Sequence, residues 1–189
     1  RVICRPGDKV ILHSPYYYSY KPLLEKNNFV PSYADTIKGK IDMDDFEKKV
    51  HDAKAVLINS PSNPTGRIQE IKTLKAIEKI TKDLDIPLVS DEVYKDLIYD
   101  RENYMLSGSQ VVTINSFSKT FAMCGARVGY FFSNDKSIVD KVIELKTHTS
   151  MNTNTLAQRM ALHALKVPKK FVDSQVKIWK SRRDRIYEL

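Results

Sequence analysis

The sequence has 189 residues, of which 42% are hydrophobic and 29% are charged, a composition typical of a folded domain and not of a disordered chain. No apolar run approaches the roughly 20 residues of a membrane span, so a membrane partner is not expected. The net charge is +8, but acidic residues interleave with the lysines, which argues against a nucleic-acid partner. Cys4 and Cys124 form no CxxC motif, and this favours a reducing, cytoplasmic location.

Strand and helix patterns alternate along the chain. Apolar runs predict six strands, at residues 9–13, 29–33, 55–59, 87–90, 111–115 and 127–132. Between them, Asp42 is expected to start a helix that buries Phe46 and Val50. A second helix face is predicted from the three-residue spacing of Ile68, Ile71, Leu74, Ile77 and Ile80. Further helices follow residue 135, so we expect an α/β fold with three layers, α/β/α, around a mainly parallel mixed sheet.

Both ends of the chain have features of interrupted helices. Residues 1–5 are typical of the last turn of a helix, and residues 169–189 carry apolar side chains at helical spacing with no Gly or Pro to end the pattern. We therefore expect the chain to be a piece of a longer protein, truncated at both ends.

Three predicted strands end in short polar segments. Asn63 follows the third strand, Asp91 and Tyr94 follow the fourth, and Ser116 and Lys119 follow the fifth. Because ligands bind at the carboxyl ends of strands in parallel sheets, these side chains should converge at one edge. Each has an ordinary interpretation when taken alone: a turn for residues 63–66, a helix cap for Asp91 and a surface position for Lys119.

Taken together, these groups specify the chemistry of one ligand. A carboxylate at the end of a buried strand, Asp91, needs a cation, and a lysine in such a pocket, Lys119, becomes a nucleophile for carbonyls. Arg127 and Ser116 beside them suit a phosphate. Pyridoxal 5′-phosphate offers a basic ring nitrogen, an aldehyde and a phosphate, so it satisfies all of these groups. No metal is expected, because the histidines lack the spacing of metal ligands.

The chain resembles a known family, the class I/II aminotransferases of the aspartate aminotransferase type. The resemblance is specifically to the large domain of these fold-type I enzymes. Five motifs occur in family order over nearly the whole chain: residues 6–10 (PGDKV), 15–20 (PYYYSY), 60–66 (SPSNPTG), 90–94 (SDEVY) and 116–130 (SFSKTFAMCGARVGY). A single motif of this kind is weak, whereas five in order are highly specific.

The resemblance implies a role for each residue around the ring of the cofactor. Lys119 is implied to form the Schiff base and to carry the proton between the substrate Cα and the cofactor C4′. Asp91 is implied to keep the pyridine nitrogen protonated. Tyr94 and Asn63 are implied to bind the phenolic oxygen, and Tyr17 to stack on the ring.

The resemblance also implies that Ser116, Ser118 and Arg127 bind the phosphate. Cis peptide bonds are expected before Pro15 and Pro64. Residues 1–189 would then form the large, pyridoxal 5′-phosphate-binding domain without the small C-terminal domain. Further phosphate donors and the arginine that binds the substrate α-carboxylate would lie outside this chain, so the isolated chain should retain the cofactor weakly and show no turnover.

The implied function is transfer of an amino group from an amino acid, aspartate being favoured, to a 2-oxo acid. The substrates are thus small molecules, and the full-length protein would be a homodimer. Two alternatives remain at this point. One is a related enzyme on the same fold, similar to aminocyclopropane-carboxylate synthases or C–S lyases, although lyases more often have His in place of Tyr94. The other is the aminotransferase-like sensor domain of a transcription regulator.

Overall fold

The computed structural model describes all residues from 1 to 189. It contains eight strands: β1 (Lys9–His13), β2 (Val30–Ala34), β3 (Thr36–Ile37), β4 (Lys40–Ile41), β5 (Ala55–Asn59), β6 (Leu88–Asp91), β7 (Val111–Ser116) and β8 (Gly129–Ser133). Its α-helices are α1 (Tyr20–Lys26), α2 (Met43–Val50), α3 (Ile71–Asp83), α4 (Phe117–Thr120), α5 (Lys136–Thr149), α6 (Thr155–Ala164) and α7 (Lys169–Tyr187). A short 3-10 helix spans Cys124–Ala126.

Six strands form one mixed sheet in the order β2-β1-β5-β6-β7-β8. All neighbouring pairs are parallel except β7 and β8, which are antiparallel. The predicted α/β class, the single sheet and its antiparallel last strand are confirmed. The bounds of β1 and β5 are those expected from the sequence, and the other four strands differ from the predicted bounds by one or two residues at one or both ends.

Helices cover both faces of this sheet. On one face, Ile11 and Val56 pack with Phe46 of α2 and with Leu74 and Ile77 of α3 in the main core. Their sequence neighbours point the other way, as strand geometry requires. On that opposite face a second set of buried side chains is formed by Val10 and Ala55 with Cys4 and Phe29. A third set joins α6 to the β7–β8 end of the sheet, and consists of Phe117, Val128, Ala157, Ala161 and Ala164. The expected three layers are therefore present.

The predicted start of α2 is confirmed. The carboxylate of Asp42 accepts hydrogen bonds from the backbone N–H groups of Asp44 and Asp45, at 3.1 and 3.3 Å, and so caps the helix. Phe46 and Val50 are fully buried one turn apart. This capped helix covers the sheet beside the strands that lead to the polar segments.

Two helix predictions are wrong in part. Residues 1–5 are not helical, because the Arg5 N–H bonds to the Asp8 carboxylate at 2.7 Å and the chain turns at Pro6–Gly7. The repeat that begins at Ile68 overstates α3 by three residues. The segment before α3 is tied elsewhere, since the Gln69 N–H bonds to the Ser60 hydroxyl at 3.1 Å.

Two further features were not predicted. The β3–β4 hairpin has only two residues in each strand, too few to produce a periodic pattern. The connection from β6 to β7 contains no helix. It is held instead by Glu78 of α3, whose carboxylate accepts bonds from the N–H groups of Ser107 and Gly108, each at 2.7 Å. No helix of the structure is long and apolar enough to cross a bilayer.

Candidate functional site

The carboxyl ends of β5, β6 and β7 lie side by side. In the sheet register Asn59 pairs with Asp91, and Asp91 pairs with Ile114. The segments that follow these strands therefore leave the sheet at one edge, as predicted. The peptide bonds before Pro15, Pro61 and Pro64 in the neighbouring loops are cis, which confirms the two that were expected.

The carboxylate of Asp91 lies partly buried at the end of β6. It accepts a hydrogen bond from the Tyr20 hydroxyl at 2.5 Å and one from the Val93 N–H at 3.2 Å. Asp91 forms no ion pair in the structure, and no helix follows it for it to cap. Burial raises the pKa of Asp91, while the Tyr20 and Val93 hydrogen bonds oppose that rise. Such a carboxylate would be stabilised by a cationic N–H donor.

Asn63 and Tyr94 form a hydrogen-bonded pair beside Asp91. The Asn63 amide donates to the Tyr94 hydroxyl at 3.2 Å. The backbone of Asn63 is fixed in turn, because its N–H donates to the side-chain oxygen of Asn59 at 2.7 Å, and the Asn59 amide donates to the Asp91 carbonyl at 3.0 Å. Asn59 thus holds the segments after β5 and β6 together.

A buried histidine holds Asn59 from the other side. The Nε2 atom of His13 lies 3.2 Å from the carbonyl oxygen of Asn59 and 3.3 Å from its amide nitrogen. Burial lowers the pKa of His13, and its hydrogen bonds with backbone carbonyls oppose that shift. A neutral imidazole is the form that suits this position.

Lys119 lies in the single turn of α4, immediately after β7. Its Nζ atom is 5.7 Å from the centroid of the Tyr94 ring, and it forms no ion pair with any carboxylate. The exposed side chain is therefore anchored to no acidic partner. An exposed primary amine that forms no ion pair is accessible to a carbonyl ligand.

Tyr17 lies beside the tyrosine that donates to Asp91. Its ring makes edge contacts with Tyr18 and Tyr20, with centroids 4.7 and 5.4 Å away. The hydroxyl of Tyr20 in turn donates to the Asp91 carboxylate. This places an aromatic ring one residue removed from Asp91.

The three residues predicted to bind phosphate are only partly brought together. The Ser116 hydroxyl donates to the Ser118 hydroxyl at 2.9 Å and accepts the Ser118 N–H at 3.1 Å, so the two serines are in contact. The guanidinium of Arg127 is exposed, donates to the Cys124 carbonyl at 2.8 Å and makes no hydrogen bond with either serine. The backbone beside Arg127 does contact a serine, since the carbonyl of Val128 accepts a hydrogen bond from the Ser116 hydroxyl at 3.4 Å.

A cavity of about 810 Å³ opens at this edge. Of the predicted site residues, Asn63, Tyr94, Ser118 and Lys119 line it, whereas Tyr17, Asp91, Ser116 and Arg127 do not. Its far wall is formed by α7, through Gln175, Trp179 and Arg183. The charged lining residues are Arg67, Asp100, Arg101, Lys119 and Arg183, so cations outnumber the single acid.

These residues fit pyridoxal 5′-phosphate. Asp91 lacks a cation that a protonated ring nitrogen would supply, and Lys119 has an amine without an acidic partner. The paired Asn63 and Tyr94 side chains offer donors to one oxygen, and the adjoining serine hydroxyls offer donors to a phosphate. No group of three or more His, Cys, Asp or Glu side chains is placed to hold a metal ion.

Sequence reasoning missed three residues that hold this arrangement: His13, Tyr20 and Asn59. Tyr20 lies in the PYYYSY motif, but nothing in the sequence distinguishes it from its neighbours as the donor to Asp91. The position of Asn59 as the last residue of a buried strand was the available signal. His13 holds the equivalent place at the end of β1.

Comparisons with known proteins agree with this geometry. The family model for aminotransferases of class I and II matches residues 1–189. The chain is 35% identical over 197 residues to a probable aspartate aminotransferase of Methanocaldococcus jannaschii, covering 96% of this chain and 51% of that protein. It is 34% identical over 198 residues to the aspartate aminotransferase of Bacillus sp. strain YM-2, covering 99% of this chain and 50% of that protein. The chain thus spans about half the length of the curated relatives it matches.

The solved structures that resemble this chain are also aminotransferases. A double mutant of Thermus thermophilus aspartate aminotransferase superposes with a TM-score of 0.93 at 29% identity, over 99% of this chain and 51% of that one. The alanine aminotransferase of Pyrococcus furiosus gives 0.90 at 30% identity, over 99% and 51%. The aromatic aminotransferase of Pyrococcus horikoshii gives 0.92 at 29% identity, over 99% and 53%. Since these three proteins are named for different amino acids, overall similarity does not select among them.

Proposed function

This chain belongs to the aminotransferases of class I and II, and we propose that it forms the large, cofactor-binding domain of an enzyme that transfers an amino group from an amino acid to a 2-oxo acid. One observation carries the proposal. A carboxylate without a cation, an amine without an acid and a hydrogen-bonded Asn–Tyr pair lie at one edge of the sheet, in Asp91, Lys119, Asn63 and Tyr94. These are the groups that pyridoxal 5′-phosphate requires.

The proposed roles follow from the position of each side chain. Asp91 would accept a hydrogen bond from the pyridine nitrogen, Asn63 and Tyr94 would donate to the phenolic oxygen, and Tyr17 would stack on the ring. Ser116, Ser118 and Arg127 would bind the phosphate. When bound, pyridoxal 5′-phosphate supplies an aldehyde that takes up the amino group and a ring that accepts the electron pair from the substrate Cα.

Two residues would act on protons. The ionised Asp91 would keep the proton on the ring nitrogen, because a buried carboxylate stabilises an adjacent cation. The Lys119 amine would hold the aldehyde carbon before substrate arrives. Once released, the same amine would take the proton from the substrate Cα and return it to C4′ of the cofactor.

We propose aspartate and 2-oxoglutarate as the substrates. The curated relatives described above are named for aspartate, and the cavity lining supports a dicarboxylate. Arg67 and Arg101 line the cavity and form no ion pair, whereas Arg183 is paired with Asp100 and Asp184. Two arginines without acidic partners favour an anionic side chain over an aromatic one.

The whole protein is proposed to be a homodimer and to reside in the cytoplasm. Both cysteines are unpaired, and Cys124 is exposed, which suits a reducing compartment. Gel filtration with light scattering of the full-length protein tests the oligomeric state.

An amino-donor screen on the full-length protein tests the proposed reaction. Aspartate, alanine and tyrosine are each supplied with 2-oxoglutarate and the cofactor, and glutamate formation is measured. We expect aspartate to give the highest kcat/KM. Absence of glutamate with every donor would contradict the proposal, and release of ammonia and pyruvate from a cysteine conjugate would favour the C–S lyase alternative.

A further inference from the structure

Strands β7 and β8 approach each other unusually closely at one glycine. Gly129 pairs with Ser116 in the antiparallel register. A Cβ atom added to Gly129 would lie 2.7 Å from the carbonyl oxygen of Asn115 and 3.5 Å from the Cα of Ser116. The first distance is about 0.7 Å shorter than an ordinary contact of 3.4 Å, and both atoms belong to the backbone. A side chain at position 129 would therefore push the strands apart.

The segment just before Gly129 is fixed against Ser116. The carbonyl of Val128 accepts the Phe117 N–H at 3.3 Å and the Ser116 hydroxyl at 3.4 Å. The Val128 side chain is buried with Phe117. Arg127 immediately precedes this contact, so the strand spacing at Gly129 sets the distance from the Arg127 backbone to the two serines.

We propose that Gly129 is a positioning residue for phosphate binding, acting through Arg127; this inference rests on the proposed function. The Arg127 guanidinium donates only to a neutral carbonyl, that of Cys124, and so remains available to an anion. Charge-assisted hydrogen bonds have short optimal lengths, and displacing β8 by several tenths of an ångström would separate Arg127 from a phosphate held by Ser116 and Ser118.

The test compares two ligands that differ only in the phosphate. Pyridoxal 5′-phosphate and pyridoxal are titrated into the full-length protein, and their dissociation constants are measured by absorbance. Gly129→Ala should weaken the phosphorylated ligand by about tenfold or more and change the affinity for pyridoxal by less than about twofold. Gly125→Ala is the matched control, since a Cβ there meets no atom within 4 Å, and it should change neither affinity.

A further variant keeps the inference testable if Gly129→Ala does not fold. Val128→Ala loosens the same segment without adding an atom, and it should lower the preference for the phosphorylated ligand in the same direction. Where Gly129→Ala folds, adding it to Arg127→Gln should cause no further loss of that preference. Equal weakening of both ligands, or no weakening, would overturn the inference. A wild-type protein that binds neither ligand would overturn the proposed function, and the inference with it.

Discussion

The Tyr20 hydroxyl donates a hydrogen bond of 2.5 Å to the carboxylate of Asp91, across 71 residues of sequence. Burial and the charge of Asp91 both raise the pKa of Tyr20, so the proton stays on the tyrosine. The same bond lowers the pKa of Asp91 against the effect of burial. Tyr20 therefore helps to keep Asp91 ionised, which is the form that can stabilise a cationic ring nitrogen.

Replacing Tyr20 by Phe removes one of the two donors to Asp91. The pKa of Asp91 should then rise further, and the acidic limb of the kcat/KM–pH profile should move to higher pH. Loss of a hydrogen bond to a charged group costs about 1.5 kcal/mol, so we expect turnover near neutral pH to fall by about tenfold. Tyr18→Phe is the control, because Tyr18 is 77% exposed. An unchanged acidic limb in Tyr20→Phe would contradict this role.

Replacing Asp91 should affect activity and stability in opposite directions. Asp91→Asn leaves the ring nitrogen without its anionic partner, which should lower turnover by about 100-fold or more, equal to about 3 kcal/mol. Asp91→Glu should lose less if the longer side chain still reaches the nitrogen. Burial raises the folded pKa of Asp91, so its contribution to stability is present at low pH and is lost as pH rises.

It follows that, near pH 7 and without cofactor, ionised Asp91 destabilises the fold. Asp91→Asn should therefore melt at a higher temperature than the wild type in the absence of cofactor. Differential scanning calorimetry measures both proteins with and without pyridoxal 5′-phosphate. Normal turnover in Asp91→Asn would remove the proposed role of this carboxylate.

The sequence predicts site residues that lie near the ends of strands, but it does not predict side-chain contacts between residues that are far apart in the chain. Asp91 and Lys119 could be selected because each lies within a few residues of the end of an apolar strand, and parallel strands bring such positions together. The bond from Tyr20 to Asp91 could not be selected, because it depends on where the start of α1 lies relative to the end of β6, and no periodic pattern encodes that. The guanidinium of Arg127 could not be placed either, since its direction depends on the turn at Cys124.

Secondary structure is likewise predictable where it depends on contacts between residues close in sequence. Asp42 caps α2 through contacts within three residues, and the sequence shows them directly. The connection from β6 to β7 has no helix, and Glu78 of α3 accepts hydrogen bonds from the backbone N–H groups of Ser107 and Gly108 in that connection. The alternation of strands and helices in the sequence could not reveal that this connection has no helix.

Acid should destabilise the protein partly through His13. Burial lowers the folded pKa of His13 below its unfolded value, so its contribution to stability is present above that value and is lost as pH falls. We expect the melting temperature of the wild type to drop between about pH 7 and pH 5, and His13→Asn to show a smaller drop. His148→Asn, at an exposed position, is the control. An equal drop in wild type and His13→Asn would contradict this expectation.

A polar cluster should hold α7 at the cavity. This helix has no buried residue, and two nitrogens of Arg183 each donate to the same oxygen of Asp100 at 3.2 Å. The Arg183 guanidinium also lies 4.7 Å from the centroid of the Tyr99 ring. Asp100→Asn should loosen α7, because it removes the acidic partner that the β6–β7 connection offers to Lys180 and Arg183.

The single tryptophan of the chain, Trp179, reports the position of α7. Its emission should shift to longer wavelength in Asp100→Asn, and deuterium uptake by residues 169–187 should increase. High salt should produce the same change in the wild type, since exposed ion pairs are screened. Asp140→Asn breaks the exposed 2.6 Å pair with Lys136 on α5 and should leave Trp179 unaffected. Identical emission from Asp100→Asn and wild type would rule out the proposed attachment.

The proposed reaction depends most on the amine of Lys119. In the full-length protein Lys119→Ala and Lys119→Arg should both fold, because the side chain is exposed. Arginine keeps the charge but has no primary amine that could bond to an aldehyde. Both variants should therefore retain some cofactor through the remaining contacts and show almost no transamination. A structural lysine would tolerate arginine, so an active Lys119→Arg enzyme would contradict the role.

The most direct measurement is borohydride reduction of the full-length protein with its cofactor, followed by peptide mapping. Reduction makes any bond between the cofactor aldehyde and a lysine amine permanent, and the mass of the modified peptide then identifies the lysine. Lys119 has no acidic partner and lies beside Tyr94, so we predict that the pyridoxyl group is found on Lys119. A pyridoxyl group on any other lysine would contradict the assignment of this site.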